Sequence, residues 1–127
     1  MKNYKIVLTI LLCIGYIATI ASIGDKSAKP DSIMVGVASY YHNKFIGRKT
    51  ANGERFVQTK FTAACNHYPL GTKLRVTNLS NKKSIIVRIN DRMGTKRRII
   101  DLTTKGAKEL GYYKKGLTNI KIELVDM

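Results

Sequence analysis

The chain has 127 residues, room for one domain, and carries 23 Lys and Arg against 8 Asp and Glu, a formal charge of +15. So positive a balance calls for an anionic partner or a solubilising basic face. With two cysteines, two histidines, no CxxC and no His/Cys cluster, a disulfide framework and a zinc site are excluded, and stability must come from a hydrophobic core.

Lys2 and Lys5 precede an apolar stretch, Ile6–Ile23, broken only by Thr9, Thr19 and Ser22 among its polar positions. This is the pattern of a secretory signal peptide, with cleavage expected after Ala21. The rival is an uncleaved anchor, since about 18 apolar residues reach the lower edge of a membrane span. Leu12 precedes Cys13 where a lipid-accepting cysteine needs a small residue, so a lipoprotein is not expected. Loss of residues 1–21 removes two lysines and no acid, which takes the charge from +15 to +13 and leaves Cys65 as the lone cysteine. Residues 22–32 read as a polar linker and 33–127 as a single domain.

Within that domain the pattern is mainly of strands. Ile33–Tyr41 is rich in β-formers. Lys73–Leu79 sets Leu74, Val76 and Asn78 against Arg75 and Thr77; the polar turn Ser80–Lys83 and the strand Ser84–Ile89 complete a hairpin. Arg98–Leu102 is a short apolar run, and Thr118–Val125 puts Ile120, Ile122 and Leu124 on one face. One helix is marked, Lys105–Leu110, with Thr103 or Thr104 as its N-cap and Gly111 as its stop. Leu102, Ala107 and Leu110 face the core. Short strands with one late helix predict a small closed β-barrel.

Three acids stand beside turns or strand ends. Glu54 leaves the Asn52-Gly53 turn, exposed and fixed by its backbone, with Arg48 and Arg55 as the plainest ion-pair partners. Asp91 ends a strand beside Arg92: a salt bridge, a turn cap, or a cleft acid steadied by Arg88 or Arg92. Asp101 precedes the helix, where Asp is a favoured cap. Cys65, after two alanines, reads as a small core residue, and His42 as a surface or cleft-edge residue.

The segments GVASYY, GRKTANGERF, FTAACNHYPLGTKLRVTN, VRINDR and RRIIDLT follow one another between Gly36 and Thr103. In this order they resemble the RlpA-like (rare lipoprotein A) family, over about 90 residues from Val35 to Val125. The resemblance implies a mainly β fold, a closed six-stranded double-psi β-barrel with one or two short helices. It implies an endolytic peptidoglycan lytic transglycosylase that cuts the MurNAc–GlcNAc β-1,4 bond and leaves 1,6-anhydromuramic ends. It places Glu54, Asp91 and Asp101 in one catalytic cleft, with Asp101 a candidate general acid. Tyr40, Tyr41, Thr50, Asn52, Cys65, His67, Arg88, Asn90 and Arg92 are the expected substrate contacts. No metal or cofactor is called for. The expected partners are glycan strands, with anionic envelope polymers as a second class and no nucleic acid. A monomer in the periplasm or cell envelope is expected.

Two departures from the family pattern stand out. Cys65 occupies the position of a cleft His, and a thiol does not replace an imidazole as a hydrogen-bonding partner. His67 lies two residues on, on the same face of an extended segment. Met93-Gly94 replaces a Gly-Pro pair in a slightly shorter loop. Cys65 favours the alternative function, a non-catalytic wall-binding or wall-loosening module of expansin type. A basic adhesion or nucleic-acid-binding protein fits neither the leader nor any RNA- or DNA-binding motif.

Overall fold

The computed structural model describes residues 32–125, so the expected leader 1–21 and the expected linker up to residue 31 lie outside the described residues. Six strands, β1 (Ile33–Tyr40), β2 (Thr62–Ala64), β3 (Lys73–Asn78), β4 (Ser84–Asp91), β5 (Ile100–Leu102) and β6 (Thr118–Leu124), close a barrel in the order β1-β5-β2-β4-β3-β6. The β1–β5 and β2–β4 pairs are parallel and the other four antiparallel. One helix, α1 (Thr104–Glu109), and a 3₁₀ turn at Asn43–Phe45 complete the secondary structure of the described residues.

Alternation builds the core. Leu74 and Val76 of β3, Val87 and Ile89 of β4, Ile100 and Leu102 of β5, and Ile120 and Ile122 of β6 are all buried, each such side chain contributing roughly 1.5–3 kcal/mol on burial. The β3–β4 hairpin and the alternation of β6 match the expectation, except that Leu124 is only partly buried. Strand β2 was not anticipated. Its three residues, Thr62, Ala63 and Ala64, are all buried, so they carry no period-two signal.

The helix begins one residue earlier than expected. Thr103 caps it, its hydroxyl accepting from the Gly106 N–H at 3.2 Å and donating to the Lys60 carbonyl at 2.6 Å. Gly111 ends it at φ +79°, a left-handed position that suits glycine. Leu102, Ala107 and Leu110 face the core, as expected.

Asn78 joins hairpin to helix. Its buried Nδ2 donates to the Leu110 carbonyl at 2.8 Å, while Oδ1 accepts from Thr118 Oγ1 and the Ser80 N–H, both at 3.0 Å. Replacing it strands several buried polar groups at once. Asn78→Ala is expected to lower stability by roughly 2–3 kcal/mol, read in urea unfolding as a lower midpoint with unchanged slope.

Candidate active site

The site begins with the register of β2. Ala63 pairs with Ile89, but the next residue, Ala64, pairs with Asp91, so Asn90 is the extra residue of a β-bulge. On its other side Ala64 pairs with Asp101, which in turn pairs with Ser39. Ser39, Asp101, Ala64 and Asp91 therefore form one row across four adjacent strands. The two acids stand two strand spacings apart, about 10 Å between backbones, with only the Ala64 methyl between them. Ile100 and Leu102 enter the core, so Asp101 between them takes the opposite face.

Over this row lies an open cleft of about 530 Å³, bordered by Tyr40, Tyr41, Ala64, Asp91, Arg98 and Asp101 among others. Three donors hold Asp91: the Ala51 and Arg92 N–H groups at 2.9 Å on Oδ1, and the Tyr41 hydroxyl at 2.5 Å on Oδ2. The Tyr41 ring is fixed against Phe56, with centroids 4.3 Å apart. Burial, then the Asp91 hydrogen bond and the charges of Asp91 and Asp101, push the Tyr41 hydroxyl far above its usual range, so it remains a donor. Asp101 differs from Asp91 in its surroundings. Burial pushes its carboxyl up, opposed by Arg98, whose Nε and Nη2 donate to it at 3.0 and 3.3 Å.

Glu54 lies beside the cleft and does not border it. Gly53, at φ +89°, completes the turn that presents it. Its carboxylate takes two bonds from Arg88, at 2.5 and 3.0 Å, rather than from Arg48 or Arg55. Asn52 and Asn90 also donate to it. The Arg88 bonds, then that of Asn52, hold its pKa down to about 2. Thr50 donates to Asn52 Oδ1 at 2.7 Å, and the Asn52 N–H donates to the Asn90 carbonyl. Thr50, Asn52, Glu54, Arg88 and Asn90 thus form a lattice that pins the turn to β4.

The remaining expected contacts separate. Arg92 reaches the cleft rim, but its Nη1 donates to the Cys65 and Tyr68 carbonyls at 2.5 and 2.6 Å. Tyr40 borders the cleft with its hydroxyl on the Tyr113 carbonyl and its ring against Tyr113. His67 borders a neighbouring pocket instead. Cys65 is fully buried in the core cluster, its side chain closed to solvent, and burial pushes the thiol up. The sequence reading missed Arg98 as the partner of Asp101, although they stand three residues apart, and Ala64, whose signal was its small size beside a strand end. Among the described residues no cluster of His, Cys, Asp and Glu could hold a metal ion.

A family profile described as lytic transglycolase matches residues 33–122. The chain is 45% identical over 102 residues to the probable endolytic peptidoglycan transglycosylase RlpA of Synechocystis sp., covering 80% of this chain and 32% of that protein. It is 49% identical over 94 residues to the endolytic peptidoglycan transglycosylase RlpA of Pseudomonas aeruginosa, covering 73% and 28%. The chain thus spans about a third of the length of these relatives. An expansin of Clavibacter michiganensis shares the fold at a TM-score of 0.58 and 22% identity, over 74% of this chain and 50% of that one.

The Glu54 lattice is testable through pH. A carboxyl held at about 2 against 4.5 when free adds stability that is fully present above pH 4.5 and is lost as pH falls through 2. Glu54→Gln is expected to cost about 1 kcal/mol at pH 7, the scale of a half-exposed ion pair. Thermal melts from pH 7 to pH 2 should show that difference shrinking below pH 4.5.

Proposed function

The chain belongs to the lytic transglycolase family, and from that membership we propose that it cleaves peptidoglycan glycan strands by lytic transglycosylation, with Asp101 as the general acid. The observation that carries the assignment is the pairing of an open cleft with a partly desolvated carboxyl on its wall. An acid that must give up a proton near neutral pH needs its pKa raised; burial does this at Asp101, whereas at Glu54 the bonds from Arg88 and Asn52 outweigh it.

The reaction balances within the substrate. Asp101 gives its proton to the glycosidic oxygen, and the bond from that oxygen to C1 of the muramyl sugar breaks. The 6-hydroxyl of the same sugar attacks C1, closes the 1,6-anhydro ring, and returns its proton to the Asp101 carboxylate. No water is consumed. Asp91, on the far side of Ala64, supplies negative charge at a fixed position, favourable to an oxocarbenium-like C1. Tyr41, Ala51 and Arg92 are positioning groups for it. Glu54, Arg88, Asn52 and Asn90 fix the turn that carries Ala51.

Cys65 is enclosed, so its thiol takes nothing from the cleft wall; the case it made for an expansin-type module without catalysis is correspondingly weaker. The substrate implies export to the cell envelope, where the leader 1–21 would direct the chain. Anionic envelope polymers remain a second class of partner, on charge alone.

The test is to incubate the full chain with peptide-free glycan strands and search the products by mass spectrometry for 1,6-anhydromuramyl ends. They are expected with the natural chain and reduced at least ~100-fold in Asp101→Asn, the usual scale for a lost general acid. Binding without such ends would overturn the enzyme reading in favour of the module. The pH profile gives a second check. Activity should fall on the alkaline side as Asp101 loses its proton. Arg98→Gln removes the group that lowers the Asp101 pKa, so that limb should move to higher pH.

A further inference from the structure

Beside the cleft lies a second, smaller pocket of about 270 Å³. Met93, Thr95 and Arg98 border both, so the two spaces adjoin. The second pocket adds His67 and Lys96, and no carboxylate borders it. Its wall is braced before any ligand arrives. Asn66 Nδ2 donates to the Met93 carbonyl and the Met93 N–H donates to Asn66 Oδ1, both at 2.9 Å. Arg98 borders both spaces and donates to Asp101 through Nε and Nη2. Lys96 is exposed and forms no ion pair with an acid among the described residues.

This is an unusual neighbour for a sugar cleft. A neutral pyranose is recognised by hydroxyl partners and aromatic faces and has no need of a cation. A pocket with Lys96, Arg98 and the imidazole of His67, closed to acids, suits an anion. We infer that it is a carboxylate subsite, holding an acidic group carried on the sugar next to the bond that the cleft cuts. The inference rests on the glycan reading above and adds a specificity determinant to it. Every muramyl sugar offers such a group within one residue of the bond: its lactyl carboxylate when no peptide is attached, or a carboxylate of the peptide when one is. The chemistry is the same, and the experiment separates the sources.

Binding is read independently of cleavage. The dissociation constant of the full chain is measured for three preparations of glycan strand: peptide-free, peptide-bearing, and peptide-free with the lactyl carboxyl blocked as its methyl amide. A lactyl-reading pocket binds the first about tenfold or more tighter than the other two, the scale of one charge-assisted contact. A pocket that reads the peptide binds the second most tightly. In either case Lys96→Glu should remove the preference while leaving the affinity for the blocked strand within about twofold, and Lys96→Arg should restore it. Equal binding of all three strands overturns the subsite, as does an equal loss for all three in Lys96→Glu. If equal binding is accompanied by anhydromuramyl products, the subsite fails and the enzyme reading stands. Carboxylate-dependent binding with no products leaves the subsite standing and overturns the enzyme. Failure to bind any strand overturns both.

Discussion

The candidate site depends on one irregularity of hydrogen bonding, the bulge that sets Ala64 opposite Asp91 instead of Asn90. In unbroken register Asn90 would face Ala64, and Asp91 would lie one residue further along with its side chain on the other face. The bulge does two things together. It brings Asp91 into the row of Ala64 and Asp101, and it frees Asn90 to reach Glu54. Short β2 makes this possible: flanked by β4 and β5, it bridges two acids that lie ten residues apart in the chain.

A cation-rich chain has a difficulty in maintaining an acid with a raised pKa, because nearby positive charge favours the carboxylate. The arrangement of the arginines answers it. Arg88 is committed to Glu54 on the outer side of the bulge, and Arg92 directs its guanidinium to the Cys65 and Tyr68 carbonyls. Asp91 is held instead by two backbone N–H groups and a tyrosine hydroxyl, all neutral. Only Arg98 acts on Asp101, and burial outweighs it. Lys44 and Arg92 border the cleft as well, but among the described residues Arg98 is the cation whose hydrogen bonds and charge lower the Asp101 pKa.

Much of this fold was legible because alternation is a one-dimensional signal. Leu74 and Val76, and likewise Ile120 and Ile122, announce their inward face from spacing alone, and Thr103 with Gly111 delimits the helix by cap chemistry. Strand β2 was not legible, since a strand buried on both faces has no polar phase to alternate with. Motif order picked out Glu54, Asp91 and Asp101, but which of them shares a cleft depends on strand pairing between distant segments. A carboxylate that leaves a glycine turn looks the same in sequence whether it faces a ligand or, like Glu54, an arginine.

Cys65 shows how far position alone can mislead. As a departure from a motif it suggested a site with a missing part, and motif comparison treats every motif residue as if it faced the ligand. Its backbone does serve the site: the Cys65 N–H donates to the Asp91 carbonyl at 3.1 Å and its carbonyl accepts from Arg92. These contacts persist with any side chain that fits the space. The side chain itself belongs to the core, among Ala63, Tyr68 and Ile89, where volume and apolarity decide what is tolerated. A substitution there acts on the cleft through packing next to the Asp91 backbone, which the Cys65 N–H holds.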